Sequence, residues 1–525
     1  MKTIYNKICL RICLAGGILA SSCTRDYMDY NRNWAEVTAG EMQRDEYLVS
    51  SLLGGMMNNV IPVEEHLNQF TECLLGGVWG GYFADSQVWA NSFSYFNPSQ
   101  DWLDKMYQEI IPNVYSNWLG LQTATTDESI LSVAQIVKAA AFQRVTDAYG
   151  PIPYSQIGAD GKVTAPLDSQ REVYEKIFEE LSAAVATLME HRASRISAAA
   201  DKVYAGDLEK WIKFANSLKL RMAMRLSYVD PATAEARAKE AVDTSDGKLG
   251  VMVSNDDNAY LSGININPFY VVAYQYNGGE TRVSADLINY MKSWSDPRIG
   301  IYANKCTLSG YTSDYWGLRI GNQYPITTGQ AYSNLNVKQS DPILWMNVAE
   351  VMFLRAEAAL RGWDTQDTAE NYYRRGVTLS FEERGAGDAA SYLSSYTQVG
   401  SYNDPQGSYS FRPDTQCVPA WNSYDPELQL EQIITQKWIA IFPLGHEAWA
   451  EFRRTGYPKL AASPVNLSGG DVADGKFARR LTYPSDEYST NGVNLNRAIS
   501  QNLPDGGDRF STHVWWDCNP DLINE

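Results

Sequence analysis

Apolar residues recur at three- and four-residue steps over several stretches of the chain, the spacing of a helix with one buried face. Over 170–190 the stripe is Val173, Ile177, Leu181, Ala184 and Leu188, and Ser169 with Glu172 has capping-box spacing ahead of it. Over 207–228 it is Trp211, Ala215, Leu218, Met222 and Leu226, opened by Asp207 and closed by Pro231. A third helix is predicted over 342–361. It starts from Asp341-Pro342, a capping residue with proline in the first turn, and ends at Gly362, with Trp363 placed for the apolar contact that follows such a cap. Residues 427–442 and 446–455 give two more helices, broken at Pro443-Leu444-Gly445.

These segments fall into pairs with short links: about 101–120 with 129–148, 170–190 with 207–228, 342–361 with 367–380, and 427–442 with 446–455. Paired helices of this length resemble tetratricopeptide units. The third pair is the best match, through Ala349-Glu350, Arg355-Ala356-Glu357-Ala358 and Ala369-Glu370-Asn371-Tyr372-Tyr373. Small residues at such positions let two helices approach closely. The expected fold is mainly α: one helical scaffold with loop-rich insertions at about 245–340 and 384–426 and an irregular C-terminal tail.

Charge and composition narrow the partners. The formal net charge is −18, which repels phosphate backbones and anionic lipid surfaces, so no nucleic acid is expected. Tyr (33) outnumbers Phe (15), which predicts many half-exposed rings, apolar on the face and wet at the hydroxyl. The N-terminus reads as an address. Lys2, Lys7 and Arg11 precede a short apolar run at 12–20, too short to span a bilayer, which reads as an export signal. Leu19-Ala20-Ser21-Ser22-Cys23 resembles a bacterial lipobox, with Leu one position farther from the Cys than the pattern prefers. We therefore expect a signal peptide at 1–22, a lipid on Cys23 and a polar tether over 23–40; ordinary signal cleavage beside an incidental Cys is the alternative. Cys73, Cys306, Cys417 and Cys518 remain, as disulfides or as buried thiols.

Catalytic motifs are absent. The four histidines, His66, His191, His446 and His513, stand in no HExxH pattern, and neither GxSxG nor a P-loop occurs. No Cys/His spacing suits a metal, so no cofactor or metal is expected. Asn255-Asp256-Asp257-Asn258 is read as a solvated polar turn, with a cation site as the alternative.

Several phrases then add up in order: Asp147-Ala148-Tyr149-Gly150-Pro151-Ile152-Pro153-Tyr154, the run Trp211 to Arg221, Asp296-Pro297-Arg298, Glu350 to Ala358, Gln436-Lys437-Trp438, Glu451-Phe452-Arg453-Arg454-Thr455-Gly456 and Trp515-Trp516-Asp517. Together with the lipobox, the set resembles the SusD/RagB family of outer-surface nutrient-binding lipoproteins over nearly the whole chain, in its divergent SusD-like branch. The resemblance implies a SusD-like domain over 41–525 with four tetratricopeptide-like pairs. It also implies a lid on a SusC-like TonB-dependent transporter of the outer membrane, oligosaccharide as ligand, and no enzymatic activity. Oligopeptide capture by the same kind of lid, a surface glycan-degrading enzyme, and a structural protein without a ligand are the alternatives.

The matched phrases read as structural, and Arg225 and Arg298 are expected to pair with buried carboxylates at helix junctions. Ligand contacts are sought in the loops. Residues 79–102 interleave Trp79, Tyr82, Phe83, Trp89, Phe93, Tyr95, Phe96 and Trp102 with Gly80, Gly81, Asp85, Gln87 and Asn91. A pyranose has apolar C–H faces and a rim of hydroxyls, which flat rings and carboxylate or amide groups match. A second cluster holds Tyr270, Tyr274, Tyr276 and Asn277, then Tyr311, Tyr315, Trp316 and Tyr324. The candidate contacts are Trp79, Tyr82, Asp85, Trp89, Tyr276 and Trp316, with Tyr409, Trp421 and Tyr424 of the 384–426 insertion in reserve.

Overall fold

The computed structural model describes residues 47–158, 164–503 and 506–523; the export segment, Cys23 and the tether lie outside them. The chain divides at Ser51, and the larger unit, Leu52–Glu525, carries every element discussed below. Its main helices are α1 (Ile111–Ala124), α2 (Glu128–Tyr149), α3 (Gln170–His191), α4 (Leu208–Arg225), α5 (Pro231–Val242), α6 (Ala285–Ser293), α7 (Val348–Leu360), α8 (Ala369–Arg384), α9 (Pro426–Ala440) and α10 (Gly445–Thr455). Four short strands, β1 (Phe83–Asp85), β2 (Ala259–Leu261), β3 (Thr281–Val283) and β4 (Ile343–Met346), form two antiparallel ladders, β1–β3 and β2–β4. Two-stranded ladders are barely stable alone, so both depend on the helices beneath them.

The helix starts follow local chemistry. The capping box at Ser169 and Glu172 is formed, and the stripe from Val173 to Leu188 is buried. α4 is capped by Asp207, and its own stripe is likewise buried. Two boundaries differ from expectation. Pro231 opens a helix where it was expected only to close one. Asp230 caps α5 through the amide of Thr233, and proline fits the first turn because that N–H has no helical partner. The helix expected from Pro342 begins only at Val348, capped by Asn347, and Ile343–Met346 is strand β4. A four-residue apolar run lacks the length to declare its period, and β2 supplies the pairing that decides it. Gly362 and Trp363 end α7 as expected: Gly362 has φ +78°, and the Trp363 amide donates to the Ala358 carbonyl at 2.7 Å.

Neighbouring helices pack as pairs between α1 and α2, α2 and α3, α3 and α4, α4 and α5, and α7 and α8, so the expected pairing of α3 with α4 forms. The expected pair of α9 with α10 is replaced by α9 on α7 and by α10 on the helical segment that contains Gln69–Gly76. From Leu430 to Ala440 every residue of α9 is buried. Such a helix has no single face committed to its chain neighbour.

A buried ion network ties the hairpins together. Arg225 of α4 donates to Glu447 and Glu451 of α10 and faces Asp147 of α2 at 3.4 Å. Arg221 holds Glu350 of α7 through two hydrogen bonds of 2.7 and 2.8 Å. Lys437 of α9 reaches Glu447 at 2.8 Å, and Arg454 grips Glu357 of α7. Arg298 is bidentate to Asp296 and also donates to Ser380 and Gln436. Arg225 and Arg298 thus make the buried pairings expected of them.

The remaining open points resolve locally. Cys73, Cys306, Cys417 and Cys518 are free thiols, the first three buried. In the 255–258 turn, Asp257 takes the Val253 and Ser254 amides and the Lys213 ammonium, which supplies the positive charge there. Among the described residues no cluster of His, Cys, Asp or Glu could hold a metal ion, and no helix is long and apolar enough to cross a membrane.

Candidate ligand-binding surface

The β1–β3 ladder pairs Phe83 with Val283 and Asp85 with Thr281, so the loop that leaves β1 meets the turn that enters β3. The Ser86 amide donates to the Glu280 carbonyl at 2.8 Å, and its hydroxyl to the Gly279 carbonyl at 2.6 Å. Gln87 and Gln330 both donate to the Asn277 carbonyl, which brings in a third segment. That segment packs so closely that a Cβ on Gly329 would stand 3.1 Å from the Ser86 carbonyl oxygen. Asn277 has φ +49°, a left-handed turn position that asparagine tolerates. Its amide donates to Glu280, as does the amide of Gln69.

A fourth segment is clamped by one buried carboxylate. Asp404 accepts from the hydroxyls of Tyr324 and Tyr332 and, at 3.0 Å, from the Tyr409 amide. Tyr324 and Tyr409 meet edge to face with ring centroids 4.9 Å apart. Asn322 links this group to the first loop, donating to the Asp85 carbonyl at 2.9 Å and accepting from the Tyr95 hydroxyl at 2.6 Å. Four chain segments thus present half-buried rings, Trp89, Tyr276, Tyr324 and Tyr409, with Gln87, Asn277, Glu280 and Gln330 close by. Trp89 stands edge-on to Trp102 at 5.5 Å, and Trp102 continues to Phe70 at 4.8 Å.

The six sequence candidates separate here. Trp89 and Tyr276 lie half-exposed on the joined loops. Trp79 is 6% exposed, packed on Trp449 and Phe93, and its indole N–H donates to the Phe93 carbonyl at 3.0 Å. Tyr82 is fully buried, stacked on Trp438 and hydrogen-bonded to that residue's carbonyl. Both rings are supports beneath the loops and present no face to a ligand. Asp85 is 3% exposed, and its carboxylate accepts from the Ser92 and Ser94 hydroxyls. Burial pushes its pKa up to about 6, against the pull of those two hydrogen bonds. Trp316 is half-buried, and the Lys292 ammonium sits 3.8 Å over its ring, so one stacking face is already taken.

Asp404 was missed by the sequence reading. Asp404-Pro405-Gln406-Gly407 has the composition of a turn, and nothing local announces that two tyrosines more than seventy positions away converge on it.

Comparison with known proteins places this arrangement. The family model described as "SusD-like: Susd and RagB outer membrane lipoprotein" matches residues 29–517. Curated proteins gave no match. Among solved structures, a SusD homologue from Bacteroides uniformis is 43% identical, covers 90% of this chain and 100% of its own, and superposes with a TM-score of 0.85. One from Bacteroides ovatus is 39% identical over the same shares, with a TM-score of 0.86. A homologue from Flavobacterium johnsoniae, described as chitin-binding, is 34% identical, covers 90% of this chain and 99% of its own, and has a TM-score of 0.84. With its helical hairpins and joined loops in place, the chain belongs to the SusD-like family of outer membrane lipoproteins.

Proposed function

We propose that this protein is a cell-surface glycan-binding lipoprotein. It is anchored through Cys23, captures oligosaccharides on the surface that carries Trp89, Tyr276, Tyr324 and Tyr409, and passes them to a SusC-like TonB-dependent transporter. The observation that carries the reading is the convergence of four braced segments that leave rings half-exposed beside the amides of Asn277 and Gln330. Rings suit the C–H faces of a pyranose, and the polar groups suit its hydroxyls. The chitin-binding relative supports a glycan as the ligand class.

Binding without chemistry fits the two carboxyls that burial raises at the surface's base, Asp85 and Glu280, the latter held on both oxygens by Gln69 and Asn277. A pKa near 6 is what a general acid needs. The Asp85 carboxyl, however, is sealed beneath the loop by Ser92 and Ser94, where no substrate oxygen reaches it. Affinity electrophoresis of the full-length protein through gels holding a panel of soluble polysaccharides tests the reading. Retardation by at least one, lost in Trp89→Ala or Tyr276→Ala, is expected. Unretarded migration through every gel would sink it.

A further inference from the structure

Beside the second ladder, β2–β4, lies a cleft of about 250 Å³. Its apolar lining includes Tyr302 and Phe442, stacked with centroids 4.7 Å apart, with Phe269 and Leu344 beside them. Its polar lining carries both signs. Arg384 enters from the end of α8. Its Nη2 donates to the Phe442 carbonyl at 3.0 Å, while its Nε is buried without a hydrogen-bond partner, 3.7 Å from the Glu383 carboxylate. Glu72 is 2% exposed, and its Oε1 accepts from Arg144. Asp341 takes the Lys338 amide on Oδ2, and Asn336 stands exposed at the mouth.

We propose that this cleft is a second binding site, sized for one ring, that takes a neutral pyranose. Pockets for drug-sized ligands start at roughly 300 Å³, so this volume suits a single sugar unit. The charges exclude simpler ligands. An anion drawn to Arg384 would also face Glu72 and Asp341, and a cation drawn to the carboxylates would face Arg384. Hydroxyls both donate and accept, so an uncharged polyol ring satisfies donor and acceptors together while its C–H face lies against the half-buried part of the apolar wall, Tyr260, Ile301 and Pro443. None of Trp89, Tyr276, Tyr324 or Tyr409 lines the cleft, so this site stands apart from the loop surface.

The test uses saturation-transfer NMR of the full-length protein with methyl β-glucopyranoside, methyl β-galactopyranoside and N-acetylglucosamine. At least one should saturate at about millimolar concentration, as so few ligand atoms allow. Asn336→Trp, which plugs the exposed mouth, and Arg384→Gln, which removes the charged donor, should each weaken that binding at least about tenfold. Both cleft variants are compared in a Trp89→Ala, Tyr276→Ala background, which removes the loop surface's own share of the signal, and that background without a cleft change should still bind. The proposal is overturned if no pyranose saturates in the background or if saturation there survives both cleft variants. Phenylalanine outcompeting every sugar would likewise overturn it, since a zwitterion would then be the better match to the mixed charges.

Discussion

The helical scaffold and the loop surface both bury carboxylates, and they compensate them in opposite ways. In the scaffold, burial alone would raise Glu447 and Glu451. Arg225, Arg454 and Lys437 outweigh it and hold both below the usual carboxylate range. On the loop side, Asp85 and Glu280 meet only hydroxyls and amides, so burial prevails and raises both. At Glu447 and Glu451 the scaffold therefore uses full charge to join helices far apart in sequence, while Asp147, 3.4 Å from Arg225, is still raised by burial. The loops use carboxylates as acceptors that organise local turns, where the charge itself is a cost.

The largest expected effect comes from breaking the scaffold side. Arg225→Ala leaves Glu447, Glu451 and Asp147 short of a shared cation in a dry site, and uncompensated buried charge costs about 3–5 kcal/mol. Denaturant unfolding of the variant should show that loss. Unfolding within about 0.5 kcal/mol of wild type would mean that the network does not join the hairpins.

Trp79 and Trp89 sharpen the contrast within one loop. Trp79→Ala removes a core ring and should cost about 3–5 kcal/mol of stability. Trp89→Ala should change melting little and weaken glycan binding by about 1–2 kcal/mol, the loss expected of a contact ring. Reversed outcomes would exchange support and contact.

The sign of pH dependence follows from the same comparison. Asp85 is raised from 3.8 to about 6 in the folded protein, so the stability it contributes is whole below pH 3.8 and is lost as pH rises through 6. Two pK units correspond to about 3 kcal/mol. Asp85→Asn should thus gain stability relative to wild type between pH 4 and pH 7, by up to that amount. Glu447 and Glu451 run the other way: their contribution is present above the unfolded value of 4.5 and is lost as pH falls through their lowered folded values. Unfolding curves at pH 4, 5.5 and 7 separate the two regions. A parallel pH response of Asp85→Asn and wild type would contradict the buried-acceptor account.

Legibility in the sequence divides along the same line. The scaffold announces itself because its signals are local: the Ser169–Glu172 box and the stripe from Val173 to Leu188 need no distant partner to be read. Even there, Ile343–Met346 looked helical because its pairing strand lies some eighty positions away. The loop surface was legible only as composition. Glycines at 80 and 81 looked like freedom to present rings, yet Gly76 and Gly80 serve close packing. A Cβ on Gly80 would stand 2.4 Å from the Gly445 carbonyl oxygen, so this stretch is pressed against α10 and Trp79 points inward. Trp79, Trp89, Tyr276 and Trp316 share the same loop context in the sequence, and that context alone does not separate the half-exposed Trp89 and Tyr276 from the buried Trp79. The Asp404 clamp was not legible, because it exists only once two tyrosines converge on it.

The smallest expected effect is that of salt on glycan affinity. Stacking and neutral hydrogen bonds are barely screened, whereas an exposed ion pair weakens as the Debye length shrinks from about 10 Å at 0.1 M to about 3 Å at 1 M. The half-exposed rings Trp89, Tyr276, Tyr324 and Tyr409 carry no charge, and their amide neighbours Gln87, Asn277 and Gln330 are neutral. The carboxylate among them, Glu280, is already engaged by Gln69 and Asn277. Binding of a neutral oligosaccharide should therefore change by less than about twofold between 0.1 and 1 M salt, measured by calorimetry on the full-length protein. In a chain of net charge −18, an acidic ligand would bind more tightly as salt rises, and a basic one would lose affinity steeply. Either slope would move the ligand class away from neutral glycan and bring the surface closer to the scaffold's way of using charge.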